Sequence, residues 1–137
     1  MKNNILFLDT SAWICSFKKS SSVEIKEKVK KHIASNNVAV SQIVILELLQ
    51  GCRSEKVKER LQNSLESLQI FPLKTNVWAR SYQLGFDLRR KGLTIPTVDI
   101  IIAALTIENK CRLLHCDRHF SLISEHFNEL DEEYLNE

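Results

Sequence analysis

The sequence predicts an α/β domain, a parallel β-sheet of about four to five strands flanked by helices on both faces. Two observations carry that expectation. Short apolar runs recur along the chain: Ile5-Leu6-Phe7-Leu8, Val38-Ala39-Val40 and the segment Arg112 to Cys116 with Leu113-Leu114. Between them lie longer stretches with helical periodicity, and strands alternating with helices form parallel sheets covered on both sides.

The elements follow in order. Asn4 to Asp9 reads as a buried strand, short and apolar between polar residues. Val23 to Ile33 has apolar residues at 23, 25, 29 and 33 with lysines opposite, a helical pattern. Asn36-Asn37 is a turn, and Val38-Ala39-Val40 a second strand. Ser41 is placed to cap a helix from Gln42 to Gln50, which Gly51 ends. Ser54 to Leu68 is an amphipathic helix with Val57, Leu61, Leu65 and Leu68 on one stripe. Gln69 to Leu73 is a brief strand, which Pro72 assigns to a sheet edge or an early end. A helix from about Thr75 to Lys91 stops at Gly92; in it Trp78 and Tyr82, at i and i+4, read as core. Pro96-Thr97 opens a helix over Val98 to Ile107 that is apolar nearly all round and therefore central. Arg112 to Cys116 is a further strand. The tail from Ser121 alternates apolar and acidic pieces and gives no clear element.

With 137 residues, 44% of them hydrophobic and 26% charged, the chain fits a single globular domain over 1–137. A domain of this length buries roughly two-thirds of its unfolded surface and needs no disulfide to fold. No apolar stretch approaches the roughly 20 residues of a membrane span, and no cleavable leader pattern is visible, so a cytoplasmic protein is expected. In a reducing compartment Cys15, Cys52, Cys111 and Cys116 are expected as thiols. Cys111, His115, Cys116 and His119 are close enough in sequence to be weighed as zinc ligands, but they lack paired Cys-x-x-Cys spacing.

Four carboxylates interrupt apolar segments: Asp9 after the first run, Glu47 within Ile43 to Leu49, Asp99 before Ile100 to Leu105, and Asp117 after Leu113 to Cys116. Acids are rarely buried unless paired or bound to a cation. In parallel sheets ligands bind beyond the carboxyl ends of the strands, where Asp9 and Asp117 fall. Each acid also has a plainer reading. Asp9 and Asp117 suit helix N-caps, Asp99 suits a helix first turn, and Glu47 could face solvent beside Gln50. Together they suggest one acidic pocket for a divalent ion. The net charge is only +2, with 19 Lys and Arg against 17 Asp and Glu. Holding four of those acids on metal leaves a basic surface suited to an anionic substrate.

Leu8-Asp9-Thr10-Ser11, the Glu47 helix ending Gly51-Cys52-Arg53, Asp99-Ile100-Ile101-Ile102-Ala103-Ala104, and Leu114-His115-Cys116-Asp117-Arg118-His119-Phe120 resemble the successive motifs of PIN-domain ribonucleases. The chain is most similar to the VapC-type toxins of toxin–antitoxin pairs, and the match runs nearly its whole length in order. It departs from the family at the last motif, commonly Thr-x-Asp-x-Asp-Phe. Here His115 replaces the hydroxyl residue and His119 an accessory acid.

The resemblance implies a PIN-like fold and cleavage of RNA by a metal-activated water. It assigns catalysis and Mg²⁺ (or Mn²⁺) binding to Asp9, Glu47, Asp99 and Asp117. Thr10, Ser11 and His119 would support the site, and an imidazole at 119 would favour Mn²⁺ over Mg²⁺. Arg53, Arg89 and Arg118, with Arg90 and Lys91, are candidates to hold the RNA backbone, and Trp13 either stacks on a base or belongs to the core or a dimer interface. A cognate antitoxin and a homodimer are the implied partners, with no membrane. Two rivals are a PIN-fold module that binds RNA or a partner without cutting it, and a phosphatase with an Asp nucleophile. The latter class wants a second Asp two residues on, where this chain has Ser11.

Overall fold

A computed structural model describes residues 3–18 and 22–135. Its elements are β1 (Leu6–Leu8), α1 (Thr10–Phe17), α2 (Val23–Ala34), β2 (Val38–Val40), α3 (Gln42–Gln50), α4 (Glu55–Glu66), β3 (Gln69–Ile70), α5 (Thr75–Arg90), α6 (Thr97–Glu108), β4 (Arg112–His115), α7 (Arg118–His126) and β5 (Glu132–Tyr134). The five strands form one sheet in the order β3-β2-β1-β4-β5. Every pairing is parallel; Leu8 lies opposite Leu114, and His115 opposite Tyr134. As Pro72 required, β3 is an edge strand.

Successive strand residues point to opposite faces, and Leu6, Phe7 and Leu8 are all buried, as are Val38, Ala39 and Val40. The sheet is therefore covered on both sides. Phe7, Leu8, Leu113 and Leu114 are completely buried, and each contributes about 1.5–3 kcal/mol through apolar burial. The central helix is α6, in which every residue from Ile101 to Ile107 is buried.

Small polar residues start the helices. Ser22, Ser41 and Ser54 each accept a backbone N–H of the first turn of α2, α3 and α4. Helix α5 ends before Gly92, whose φ of +80° suits a residue without a side chain. Asn36 makes the turn before β2 at φ 59°. Gly51 does close α3, but with an ordinary right-handed φ of −87°, so its conformational freedom is not used there.

The structure corrects several expectations. Residues 10–17, where the apolar pattern predicts no element, form α1, and the tail contains α7 and β5. Trp78 and Tyr82 are not core: they are 37% and 73% exposed, because Val77, Ser81, Leu84 and Leu88 form the buried stripe of α5 instead. Of the α4 stripe only Leu65 is buried, and Val57 is exposed. Among the described residues no helix is long and apolar enough to cross a membrane.

Candidate metal centre

The strand order reverses direction at β1, which lies between β2 and β4, so the chain leaves β1 and β4 at a topological switch point. Asp9 follows β1 and Asp117 lies just beyond β4. Each caps the helix that comes next: Asp9 Oδ1 accepts the backbone N–H of Ala12 at 2.9 Å, and Asp117 Oδ1 that of His119 at 2.9 Å. The capping reading is thus correct for both, and it leaves further oxygen lone pairs for other partners. Asp99 sits in the first turn of α6 and approaches the same point.

Three side chains converge. Ligand atoms of Asp99, Asp117 and His119 all lie within 4.8 Å of one another. His119 Nδ1 is 2.9 Å from Asp99 Oδ2 and 3.0 Å from Asp117 Oδ1, so the imidazole bridges the two carboxylates. Burial pushes the Asp99 carboxyl up to about 6, and the Asp117 charge beside it pushes in the same direction, against the hydrogen bond from His119. Two acids crowded in a half-buried site with one imidazole form a donor set that suits a divalent cation.

Asp9 and Glu47 stand outside that cluster of three. The carboxylate of Asp9 is buried and takes the Ser11 hydroxyl on both oxygens, at 2.7 and 2.8 Å. Burial raises its pKa, and the Ser11 and Ala12 hydrogen bonds partly offset the shift. Ser11 Oγ also accepts the Cys116 N–H at 2.8 Å, joining the Asp9 turn to the Asp117 turn. Glu47 faces inward rather than toward solvent with Gln50: Thr10 Oγ1 donates to its Oε1 at 2.6 Å. Thr10 and Ser11 therefore organise carboxylates.

His115 stands where the family pattern has a hydroxyl residue. Its ring is fully buried, and Nδ1 accepts the Asp117 N–H at 3.2 Å. Nε2 lies 2.6 Å from Glu132 Oε2, and Ser124 Oγ donates to the other Glu132 oxygen at 3.0 Å. Phe120 and Tyr134 flank the ring. Glu132 thus holds His115 from β5, a contact that sequence reasoning missed. The signal was weak, since Glu-Glu-Tyr lacks the apolar pattern of a buried strand.

The other candidates separate. Trp13 is 3% exposed and packs on Phe17, so it is core and cannot stack on a base. Arg53 and Glu47 both line a largely apolar groove with Ile14, Phe17, Leu48, Val57 and Leu61. Arg118 is adjacent to Asp117 but lines a hollow with Ser121, Leu122 and Tyr134. Arg89 sits with Gly85, Phe86 and Arg90 in a hollow that none of the four acids lines. Arg90 stacks on Phe86, and Lys91 lies over Phe127. The zinc set does not assemble: His115 pairs with Glu132, His119 with the two acids, and Cys111 Sγ points to Thr106 O.

A family model described as PIN domain matches residues 6–125. Ribonuclease VapC11 of Mycobacterium tuberculosis is 30% identical over 128 residues, 88% of this chain and 92% of its own length. Ribonuclease VapC2 of Rickettsia felis is 31% identical over 84 residues, 58% of this chain and 63% of its own. Among solved structures, VapBC2 from Rickettsia felis bound to a promoter DNA fragment superposes with a TM-score of 0.76 at 24% identity. That likeness covers 96% of this chain and 99% of that one. DNA-bound VapBC from Salmonella typhimurium gives 0.75 at 20% identity, covering 98% of both chains. At these identities the structural matches establish the fold.

Proposed function

The chain belongs to the PIN domain family, and from that premise we propose that it is the metal-dependent endoribonuclease toxin of a toxin–antitoxin pair. The observation that carries the proposal is the convergence of Asp99, Asp117 and His119 at the switch point, with Asp9 and Glu47 held by the adjoining Thr10-Ser11 turn.

Asp99 and Asp117 are the residues placed to hold Mg²⁺ or Mn²⁺, with His119 as a third donor. When bound, such an ion supplies the charge that activates a water and neutralises the phosphate undergoing cleavage. Ser11 fixes Asp9 and, through the Cys116 N–H, the spacing between the two turns. Glu132 and His115 hold the Asp117 backbone from behind. Glu47, half-buried and oriented by Thr10, faces the rim where Arg53 can meet an RNA backbone. Catalysis then needs no histidine base: positioned carboxylates and preorganised turns supply the geometry.

RNA is the proposed substrate because the curated relatives are ribonucleases. An antitoxin is the proposed partner because the structural neighbours are VapBC complexes. Exposed Ile14, Phe17 and Val57 give such a partner an apolar surface that ends at Glu47.

The test is growth. Expression of the chain alone should arrest a bacterial host, and Asp9→Asn or Asp99→Asn should relieve the arrest at equal protein level. Equal toxicity of the Asn variants would sink the catalytic reading.

A further inference from the structure

Two thiols lie against the candidate centre without belonging to its ligand set. Cys15 is buried on α1, and Cys116 is half-buried between His115 and Asp117. Their sulfurs are 2.8 Å apart, although the residues are 101 positions apart in sequence. Parallel pairing of β1 with β4 puts them there, because the segments following Leu8 and Leu114 leave the sheet side by side. Cys116 Sγ is also directed at Leu135 O at 3.5 Å, and the other two thiols have a backbone carbonyl beside them as well, without a sulfur. Cys52 Sγ is directed at Leu48 O and Cys111 Sγ at Thr106 O, each a backbone carbonyl of the preceding helix.

We propose that Cys15 and Cys116 are an oxidisable pair that closes to an intramolecular disulfide and thereby loosens cation binding at Asp99, Asp117 and His119. A disulfide bond is about 2.05 Å long, so the sulfurs need to approach by less than about 1 Å, far less than an element-scale movement. The oxidant is a peroxide. Cys116, the less buried of the two residues, attacks one peroxide oxygen as thiolate; the O–O bond breaks and leaves a sulfenic acid and water. Cys15 then attacks that sulfur, the S–O bond breaks, and the oxygen departs as a second water. Two thiols and one hydrogen peroxide give one disulfide and two waters, and a thiol reductant reverses the change.

The cost falls on the centre because Cys116 is built into it. Its N–H is the donor that Ser11 accepts while Ser11 holds Asp9. Its neighbour Asp117 is fixed by His115 Nδ1 on one side and by His119 on the other. Drawing Cys116 toward α1 pulls on both turns at once. The effect on cation binding rests on the metal reading above; the cross-link does not.

The experiment uses the full chain, reduced, freed of reductant and treated with hydrogen peroxide. Remaining thiols are blocked with N-ethylmaleimide before digestion and peptide mass analysis. The expected product is a Cys15–Cys116 linked peptide that dithiothreitol separates, with Cys52 and Cys111 recovered as maleimide adducts. Calorimetric affinity for Mn²⁺ should fall by about tenfold in the cross-linked protein and return on reduction, the scale seen when groups supporting metal ligands are disturbed. In Cys15→Ser, where Cys116 has no thiol to resolve its sulfenic acid, peroxide should give no linked peptide. Recovery of Cys15 and Cys116 as maleimide adducts, or an unaltered affinity in cross-linked protein, would overturn the proposal. If the reduced chain binds no Mn²⁺, the metal reading fails instead, and the peptide map alone decides the pair.

Discussion

At the scale of single residues, Asp99 shows how burial and a neighbouring charge work together. Its carboxyl is held near 6, against an ordinary value of 3.8. A raised acid binds its proton more tightly folded than unfolded, so the folded state is favoured at low pH and loses that advantage as pH rises. In chelator, wild-type stability should therefore fall between about pH 4 and 6 relative to Asp99→Asn, with Asp99→Asn the more stable above that window. Thermal melts across pH measure this, and parallel curves would contradict it. The four acids were legible as misfits on apolar segments because a carboxylate is costly to bury. What the sequence could not separate was capping from site chemistry: Asp9 and Asp117 both cap helices, and Asp117 also joins the candidate cluster. His115 was legible only as a departure from pattern; its bond to the Asp117 N–H depends on a strand 17 residues further on.

At the scale of elements, legibility follows amphipathic contrast. Helices α2 and α3 were read to within a residue or two because lysine faces and a Ser41 cap mark them. Helix α1 has no such contrast: Ala12, Trp13 and Cys15 are buried while Ile14 and Phe17 stay exposed, so both faces are apolar. The same blindness reversed α5, where aromatic spacing at Trp78 and Tyr82 resembled core while the smaller Val77, Ser81 and Leu84 were buried. Strand β5 was hidden by its polar residues and exists because β4 offers it a pairing edge. Ser41, wholly buried, accepts the Val44 N–H at the start of α3 and so anchors the helix that presents Glu47. Ser41→Ala should cost about 1 kcal/mol in denaturant unfolding, and no loss would remove the cap from the account.

For the whole molecule, short strands alternating with helices were enough to predict a parallel sheet, and the order β3-β2-β1-β4-β5 then fixes where chemistry can sit. With β1 central, the chain leaves β1 and β4 toward a shared opening, and α6 brings Asp99 to it. The sequence contains those carboxylates in order, but only the sheet makes them neighbours. It also divides them: Asp99, Asp117 and His119 form one group, while Asp9 and Glu47 are held by Ser11 and Thr10. Under the proposed function, this arrangement holds a divalent ion that drives RNA cleavage. The most direct measurement is the rate at which the purified, reduced chain cuts a labelled single-stranded RNA with Mn²⁺ or Mg²⁺ and with EDTA, beside Asp99→Asn. Cleavage should stop in EDTA and return with added cation, and the Asp99→Asn rate should be lower by about a hundredfold or more. Cleavage that persists in EDTA, or an Asp99→Asn rate equal to wild type, would contradict it.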